Sequence, residues 1–408
     1  MKKIRFAVCG AGQRGTSLSR DVLAHRDDVE ICGIFDPYID KSETLSNTIK
    51  EITGVAPKVF SSSDEMYDET KPDAVLVAAS WVAHIPLVID AMNRGIPCAM
   101  EVGGVSSEEE CRELIEAYER TKTPFMFLEN CCFGRDELFT TAVARSGKLG
   151  NIVYCHGAYM HDLREEIGYG DIKRHYRLHE YSTKNCDNYP THDLGPIAII
   201  LNINRGNRMV SLTSRASKAI GLSEYVNEKD ELSALHNRKF AQGDIVETLI
   251  TCENGELISL RLDTTLPTYY SREFTVRGTK GLYTQDTNML FLDGDSHSFE
   301  TTDFLEANIN SAKKYYDEFL PDIWKNITPE IIERGHGGMD WFEFEVFCDC
   351  LRKGEEMPID VYDAAAWMSI SYLSQKSIAL GGIPVDIPDF TNGAYKTRSP
   401  RDVITFKK

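Results

Sequence analysis

A glycine turn near the N-terminus constrains this chain more than any other feature. Ile4-Arg5-Phe6-Ala7-Val8 leads into Gly10-Ala11-Gly12-Gln13-Arg14-Gly15, and a second apolar run, Val29 to Phe35, ends at Asp36. A G-x-G-x-x-G turn between strand and helix suits a backbone that must approach a pyrophosphate closely. The first glycine makes the tight turn and the second removes a side chain from the phosphate path. The third lets the following helix pack on the strand and aim its N-terminus at the anion. Here the spacing follows a strand, precedes a predicted helix and has an acid about 20 residues further on, as the full fingerprint requires. Asp36 would bind both ribose hydroxyls of an adenosine and repel a 2′-phosphate, so the residues favour NAD(H) over NADP(H).

At 408 residues the chain exceeds one ordinary core, and two domains are expected. A net charge of −18 argues against nucleic acid or an anionic membrane as partner, because counterion release needs clustered Lys and Arg. The 11 cysteines follow no disulfide or zinc spacing, which points to reduced, mostly buried thiols. Met1-Lys2-Lys3 runs straight into the first strand, whose apolar run is too short for a signal segment. No stretch reaches the roughly 18 apolar residues of a membrane helix. A cytoplasmic protein is the expectation.

Up to about residue 150 short apolar strands alternate with amphipathic helices. Strands are predicted at 3–9, 30–36, 73–79, 97–101 and 124–128, and helices at 15–26, 40–52, 82–94, 106–121 and 135–146. Such alternation means parallel βαβ units, whose ligands lie beyond the carboxyl ends of the strands. That rule selects Ser80-Trp81, Glu101-Val102 and Glu129-Asn130. Past Gly150 strand-like alternation dominates, at Ile152 to Tyr159, Met209 to Ser214, Ile245 to Cys252, Leu257 to Asp263 and Phe274 to Arg277. A hairpin is predicted at Glu253-Asn254-Gly255. Residues 222–243 and 284–330 read as polar or irregular insertions. Helices are predicted at Met339 to Arg352 and Val361 to Leu380, the second capped by Asp360 and closed by Gly381-Gly382. The expected fold class is α/β plus α+β. A Rossmann doubly wound parallel sheet occupies 1–150, and a mostly antiparallel sheet with flanking helices occupies 151–408 and binds substrate.

Four constellations could carry chemistry. Trp81-Val82-Ala83-His84 follows a strand end, where the nicotinamide half of a cofactor would lie. Glu101-Val102-Gly103-Gly104 closes the next strand. The third set joins Tyr159-Met160-His161-Asp162-Leu163-Arg164, Arg177 and Tyr189-Pro190-Thr191-His192. Tyr189 and His192 are three apart at a predicted helix start, so both side chains face one way. Together they could move protons on and off a sugar near neutral pH; such a pair can equally be structural. The fourth is Arg334-Gly335-His336-Gly337-Gly338-Met339-Asp340, with glycines around one histidine. Histidines 156, 161, 175, 179 and 192 match no defined ligand spacing, so no metal is expected.

These residues resemble a known group. A Rossmann domain joined to an open antiparallel sheet is the arrangement of the Gfo/Idh/MocA oxidoreductase superfamily. Its members usually carry Glu-Lys-Pro at the end of the fifth strand, where this chain has Glu101-Val102-Gly103. Several stretches are similar instead to the NAD-dependent α-N-acetylgalactosaminidase group, glycoside hydrolase family 109. They include Gly12-Gln13-Arg14-Gly15, Trp81 to His84, Glu129-Asn130, Tyr189-Pro190-Thr191-His192, Pro267 to Arg272, Gly335 to Asp340 and Asp360 to Trp367. Phe133 stands where a Tyr is expected. The glycine fingerprint makes Gly10 and Gly12 cofactor-binding residues, and the resemblance implies that Arg14, Gly15, Asp36, Trp81, His84, Glu101, Val102 and Asn130 hold NAD with them. It implies that Tyr159, Arg177, Tyr189, His192 and Tyr270 hold the sugar, with His336 close by. The acid/base groups would be Tyr189 and His192, with Tyr270 and His336 as further candidates.

The activity so implied is glycoside cleavage by oxidation at C3, elimination, water addition and re-reduction, with no net consumption of NAD. This would be one of the exceptions to two-carboxylate glycosidases. The alternatives are an NAD-dependent sugar dehydrogenase of the Gfo/Idh/MocA type and a non-enzymatic NAD-binding sensor. The implied partners are a small carbohydrate and further copies of the chain.

Overall fold

The computed structural model describes residues 2–103, 105–295 and 301–406. Gly104, grouped above with Glu101, and part of the expected 284–330 insertion lie outside the described residues. The chain forms two compact units. One comprises Met1–Phe133 with Asn326–Ala365, the other Gly134–Lys325 with Ala366–Lys408. They are interleaved in sequence rather than divided at residue 150.

In the first unit six parallel strands stand in the order β3-β2-β1-β4-β5-β6. They are β1 Ile4–Cys9, β2 Val29–Phe35, β3 Lys58–Phe60, β4 Ala74–Val77, β5 Cys98–Glu101 and β6 Phe125–Leu128. The short apolar runs read as strands because they are buried on both faces, as parallel sheets under helices require. Sequence reading missed β3 and the helix Ser63–Thr70 after it. That helix nevertheless carries a legible start signal, for Ser62 accepts from the Glu65 amide as in a capping box.

The predicted helix 15–26 begins earlier and changes pitch along its length, being α over Gln13–Ser17, π over Leu18–Val22 and 3₁₀ over Leu23–His25. The helix Met339–Lys353 returns to this unit through its aromatic face. Phe344 and Phe347 lie 6.1 and 5.8 Å from Phe6 of β1, ring centre to ring centre. Each such buried ring contributes on the order of 2–3 kcal/mol. Asp340, at four- and seven-residue spacing from these rings, shares their face of the helix.

The second unit holds an eight-stranded sheet in the order β13-β12-β11-β7-β10-β9-β8-β14. Its strands are β7 Ile152–Met160, β8 Met209–Ala216, β9 Ile245–Cys252, β10 Leu257–Asp263, β11 Thr275–Gly278, β12 Gly281–Thr284, β13 Met289–Leu292 and β14 Val385–Asp386. The pair β7–β10 is parallel and the others are antiparallel. Gly255, at φ 96°, turns the predicted hairpin between β9 and β10.

Both presumed insertions hold structure. The hairpin β12–β13 starts the second one. In the first, Leu222, Val226, Leu232, Leu235 and Phe240 pack with Tyr159, Leu178, Tyr181 and Leu262 in one core. The stretch looked irregular because its apolar residues belong to short helical turns, Gly221–Asn227 and Asp230–Leu235, too brief to display a period. Asp360 caps the helix Val361–Ala379, accepting from the amides of Tyr362 at 3.0 Å and Asp363 at 3.3 Å. All eleven cysteines are free, ten buried and Cys32 half-buried. Among the described residues no helix is long and apolar enough to cross a membrane.

Candidate functional site

The glycine turn is built as a cradle. Gly10 sits at φ 106°, and a Cβ there would lie 2.4 Å from the Ala78 carbonyl oxygen. A Cβ on Gly15 would lie 2.0 Å from the Gly10 oxygen, so the helix start is pressed onto the turn. A Cβ on Gly12 would meet nothing within 4 Å, which leaves its face of the turn open to a ligand. Asp36 ends β2 with each carboxylate oxygen accepting one backbone N–H, from Ala11 and from Tyr38, both at 2.8 Å. Each oxygen keeps a second lone pair, as a ribose diol needs. Turn and acid therefore fit a dinucleotide. A Gly15→Ala variant is expected to weaken NAD binding roughly 100-fold, because backbone must move to admit the methyl. Titration of the variant with NAD, followed by protein fluorescence, checks this.

Beyond the turn stands a ring of buried charge. Arg14 donates through Nε to Glu101 at 2.5 Å and bidentately to Asp340, at 2.7 and 2.8 Å. Asp340, with no exposed surface, also accepts from Asn130 Nδ2 at 2.7 Å. His336 Nδ1 lies 2.9 Å from Asp340 and 3.1 Å from Arg14 Nη1. Burial would raise the Asp340 proton affinity, yet Arg14 and His336 hold its carboxyl well below the usual carboxylate range. Glu343, one turn further on, is also fully buried, and neither of its oxygens has a hydrogen-bond partner among the described residues. Burial, then Asp340 and Glu101, push its proton affinity far above that of an ordinary carboxylate.

His84 is locked between carbonyl oxygens, with Nδ1 3.0 Å from Gly103 and Nε2 3.0 Å from Ala79. It ties the β4 end to the β5 loop, a bridging position rather than an exposed ligand. Burial holds its pKa below the ordinary value. Trp81 begins the helix Trp81–Asn93 with Gly103 tight against its indole, where a Cβ would come within 2.4 Å of Nε1. Val102 is buried, and its amide donates to Glu101 Oε2 at 3.0 Å.

In the second unit the end of β7 presents Tyr159, with His161 two residues on and therefore on the same side. Gly157 lets the helix Thr191–Ile200 lie directly on this strand, since a Cβ there would sit 2.6 Å from that of Asp193. His192, in the first turn of that helix, is thereby brought edge-on to Tyr159 at 5.6 Å and to Tyr189 at 4.8 Å. Tyr159 and Tyr189 lie 4.4 Å apart, and Tyr270 stands edge-on to His161 at 5.3 Å. Arg177 lies over the Tyr189 ring at 5.0 Å and pairs with Glu166 at 2.8 Å.

The Tyr159 hydroxyl meets His161 Nδ1 at 3.1 Å. Burial and Arg177 lower the His161 pKa, which keeps that ring neutral at pH 7. Asp187, buried beneath this segment, is pushed by burial up to about 7. Five aromatic or imidazole rings and one guanidinium thus converge, a set that can stack on a sugar face, bind its hydroxyls and exchange protons.

The residues predicted for substrate and for cofactor accordingly gather in two clusters, one in each unit. His336 belongs with Arg14 and Asp340 in the first. Sequence reading placed His161 and Asp340 in its constellations without giving either a role, and it missed Glu166 and Glu343. His161 was signalled by its two-residue spacing from Tyr159, and Asp340 by its four-residue spacing from His336. The ion pair of Arg177 with Glu166 had no such signal.

The fold and cradle define a nicotinamide-nucleotide-binding Rossmann protein with a second sheet domain. Residues 4–128 match the family model for the oxidoreductase family with NAD-binding Rossmann fold, Gfo/Idh/MocA. Residues 133–397 match the C-terminal domain of glycosyl hydrolase 109. A glycosyl hydrolase family 109 protein from Stenotrophomonas maltophilia is 34% identical, over 98% of this chain and 91% of the relative. An alpha-N-acetylgalactosaminidase from Tannerella forsythia is also 34% identical, over 97% of this chain and 88% of its own. Among solved structures, myo-inositol 2-dehydrogenase from Lactobacillus plantarum shares the fold, with a TM-score of 0.68 and 16% identity. That match covers 95% of this chain and all of the other. The chain belongs to glycoside hydrolase family 109 and is a glycoside hydrolase.

Proposed function

We propose that this chain cleaves N-acetylgalactosaminides, or a closely related glycoside, with a resident NAD that is not consumed. The observation that carries the reading is the cluster of Tyr159, Tyr189, His192, Tyr270 and Arg177, in a chain with Val102 where a sugar dehydrogenase has Lys. The name of the Tannerella forsythia relative supports the substrate class. When bound, NAD would take hydride from C3 of the sugar and later return it.

The chain's own residues do the rest. A 3-ketone acidifies the C2 proton, and Tyr189 and His192 are the pair that would remove it as the C1 substituent leaves. The same groups would deliver water's proton and hydroxide across the double bond, so the net change is hydrolysis. Arg177 and Tyr159 would orient the hydroxyls or the acetamido group through hydrogen bonds, charge-assisted from the guanidinium. In the other unit Arg14, Asp36, Glu101 and Asn130 would hold the dinucleotide.

Incubation with p-nitrophenyl α-N-acetylgalactosaminide and NAD, following nitrophenol and NADH absorbance together, tests the proposal. Nitrophenol without NADH, and solvent deuterium at C2 of the product, are expected. NADH in proportion to sugar consumed would make the protein a dehydrogenase instead. Cofactor binding with neither product would make it a sensor.

A further inference from the structure

Tyr270 stands in an extended segment that is pinned unusually firmly. Ser271 exchanges two backbone hydrogen bonds with Met160 of β7, both 3.1 Å, and the Ala158 amide donates to the Arg272 carbonyl at 2.7 Å. The next residue, Glu273, adopts φ 43°, a left-handed conformation that a glutamate takes only under constraint. Its carboxylate is held by His156 at 2.9 Å and by Arg261 at 3.1 Å. Ser271 Oγ donates to Asp286 at 2.5 Å. With Ser271 turned one way, Tyr270 and Arg272 point the other.

Arg272 is buried, and its guanidinium is fixed from behind. Nε donates to Glu137 Oε1 at 2.9 Å, and Nη2 donates to the same oxygen. Glu137 is 1% exposed and also accepts from Gln285 Nε2 at 3.0 Å. A buried ion pair of this kind is poor value as a stabiliser, since hydrophobic residues would serve as well or better. What the pair achieves is to aim the remaining nitrogen, Nη1, at the Tyr270 phenol oxygen, 3.2 Å away. A guanidinium has no lone pair, so the phenol oxygen must accept this bond. Accepting from a fixed cation favours the phenolate and leaves the phenol's own proton for another group.

We infer that Arg272, aimed by Glu137, is a positioning residue that makes Tyr270 a proton-accepting group of the sugar site. Other ionisable groups facing Tyr270 include Tyr159 and His161 at the end of β7, both of which feel the Arg177 guanidinium. Asp286 faces its neighbours Tyr269 and Ser271.

The inference rests on the proposed function only in supposing that Tyr270 meets sugar, and the two can fail separately. Tyrosinate absorbance against pH, taken as the difference between the protein and its Tyr270→Phe variant, reads Tyr270 without substrate or cofactor. In an Arg272→Met background the same difference is expected to titrate about one pH unit or more higher. Arg272→Lys should restore at least half of that shift. Arg272→Gln, which keeps an N–H donor without the charge, serves if the Met variant does not fold.

The acid limb of kcat/KM on the aryl glycoside should move upward in parallel, because the base form is then lost at higher pH. An unmoved titration in a folded variant overturns the inference. So does an unmoved limb while wild-type turnover persists. Absence of wild-type turnover with a shifted titration would remove the proposed function and leave the Arg272–Tyr270 pairing standing.

Discussion

Replacing His192 with alanine is expected to lower kcat/KM on an aryl N-acetylgalactosaminide by about 10²- to 10⁴-fold, the usual range for a lost general acid or base. NAD affinity should stay within a fewfold of wild type, because the residues that fit the dinucleotide stand in the other unit. His192 is 8% exposed, and its ring is held edge-on by Tyr159 and Tyr189. Alanine therefore also leaves a gap beside Tyr189, and His192→Gln, which fills more of it, is the companion variant. If both lose turnover alike, the lost group is chemical rather than volumetric. Near wild-type turnover in a folded His192→Ala protein would remove this histidine from the proton-transfer set.

Asp340→Asn is expected to raise the NAD dissociation constant roughly 100-fold, equivalent to about 3 kcal/mol, the scale for breaking a buried charged pair. Asp340 accepts from Arg14 twice and from Asn130, and His336 lies against it. Through Arg14 it also reaches Glu101. An asparagine of the same shape turns an N–H₂ toward the guanidinium or toward the Asn130 amide, so part of the ring must open. The sign of the pH effect follows from the depressed proton affinity of Asp340 in the folded state. Its contribution is present above the unfolded carboxylate pKa and is lost as pH falls below it. The variant should therefore be less stable than wild type at neutral pH and approach it only in strong acid. Calorimetric titration with NAD and thermal unfolding at pH 7 and pH 3 check both parts. An NAD affinity within threefold of wild type would overturn the role given to Asp340.

The cofactor cradle was legible in the chain because its requirements are local. A turn at φ 106° needs Gly10, a helix pressed on that turn needs Gly15, and Asp36 follows at the next strand end. The Asn254-Gly255 hairpin, the Asp360 cap and the two C-terminal helices could be read for the same reason. Each is decided by residues within a few positions of one another. The segment 222–243 could not be read in this way. Its apolar residues make sense only against Tyr159, Tyr181 and Leu262, which lie far from them in the chain. The strands β12 and β13 were lost among polar neighbours because four-residue strands show too little alternation to be recognised.

By itself, then, the sequence determined the dinucleotide turn, the alternating βα order, the antiparallel second half and most of the residues that gather in the two clusters. Each rests on backbone geometry or on a period of two or of 3.6 residues. Only the tertiary structure decided how those residues are wired. Arg14 meets Asp340 across 326 positions, and Arg272 meets Glu137 across 135. Spacing carries no trace of such pairs, because they form where packed strands and helices bring distant side chains into one low-dielectric place. There a buried charge must find its partner or lose its charge.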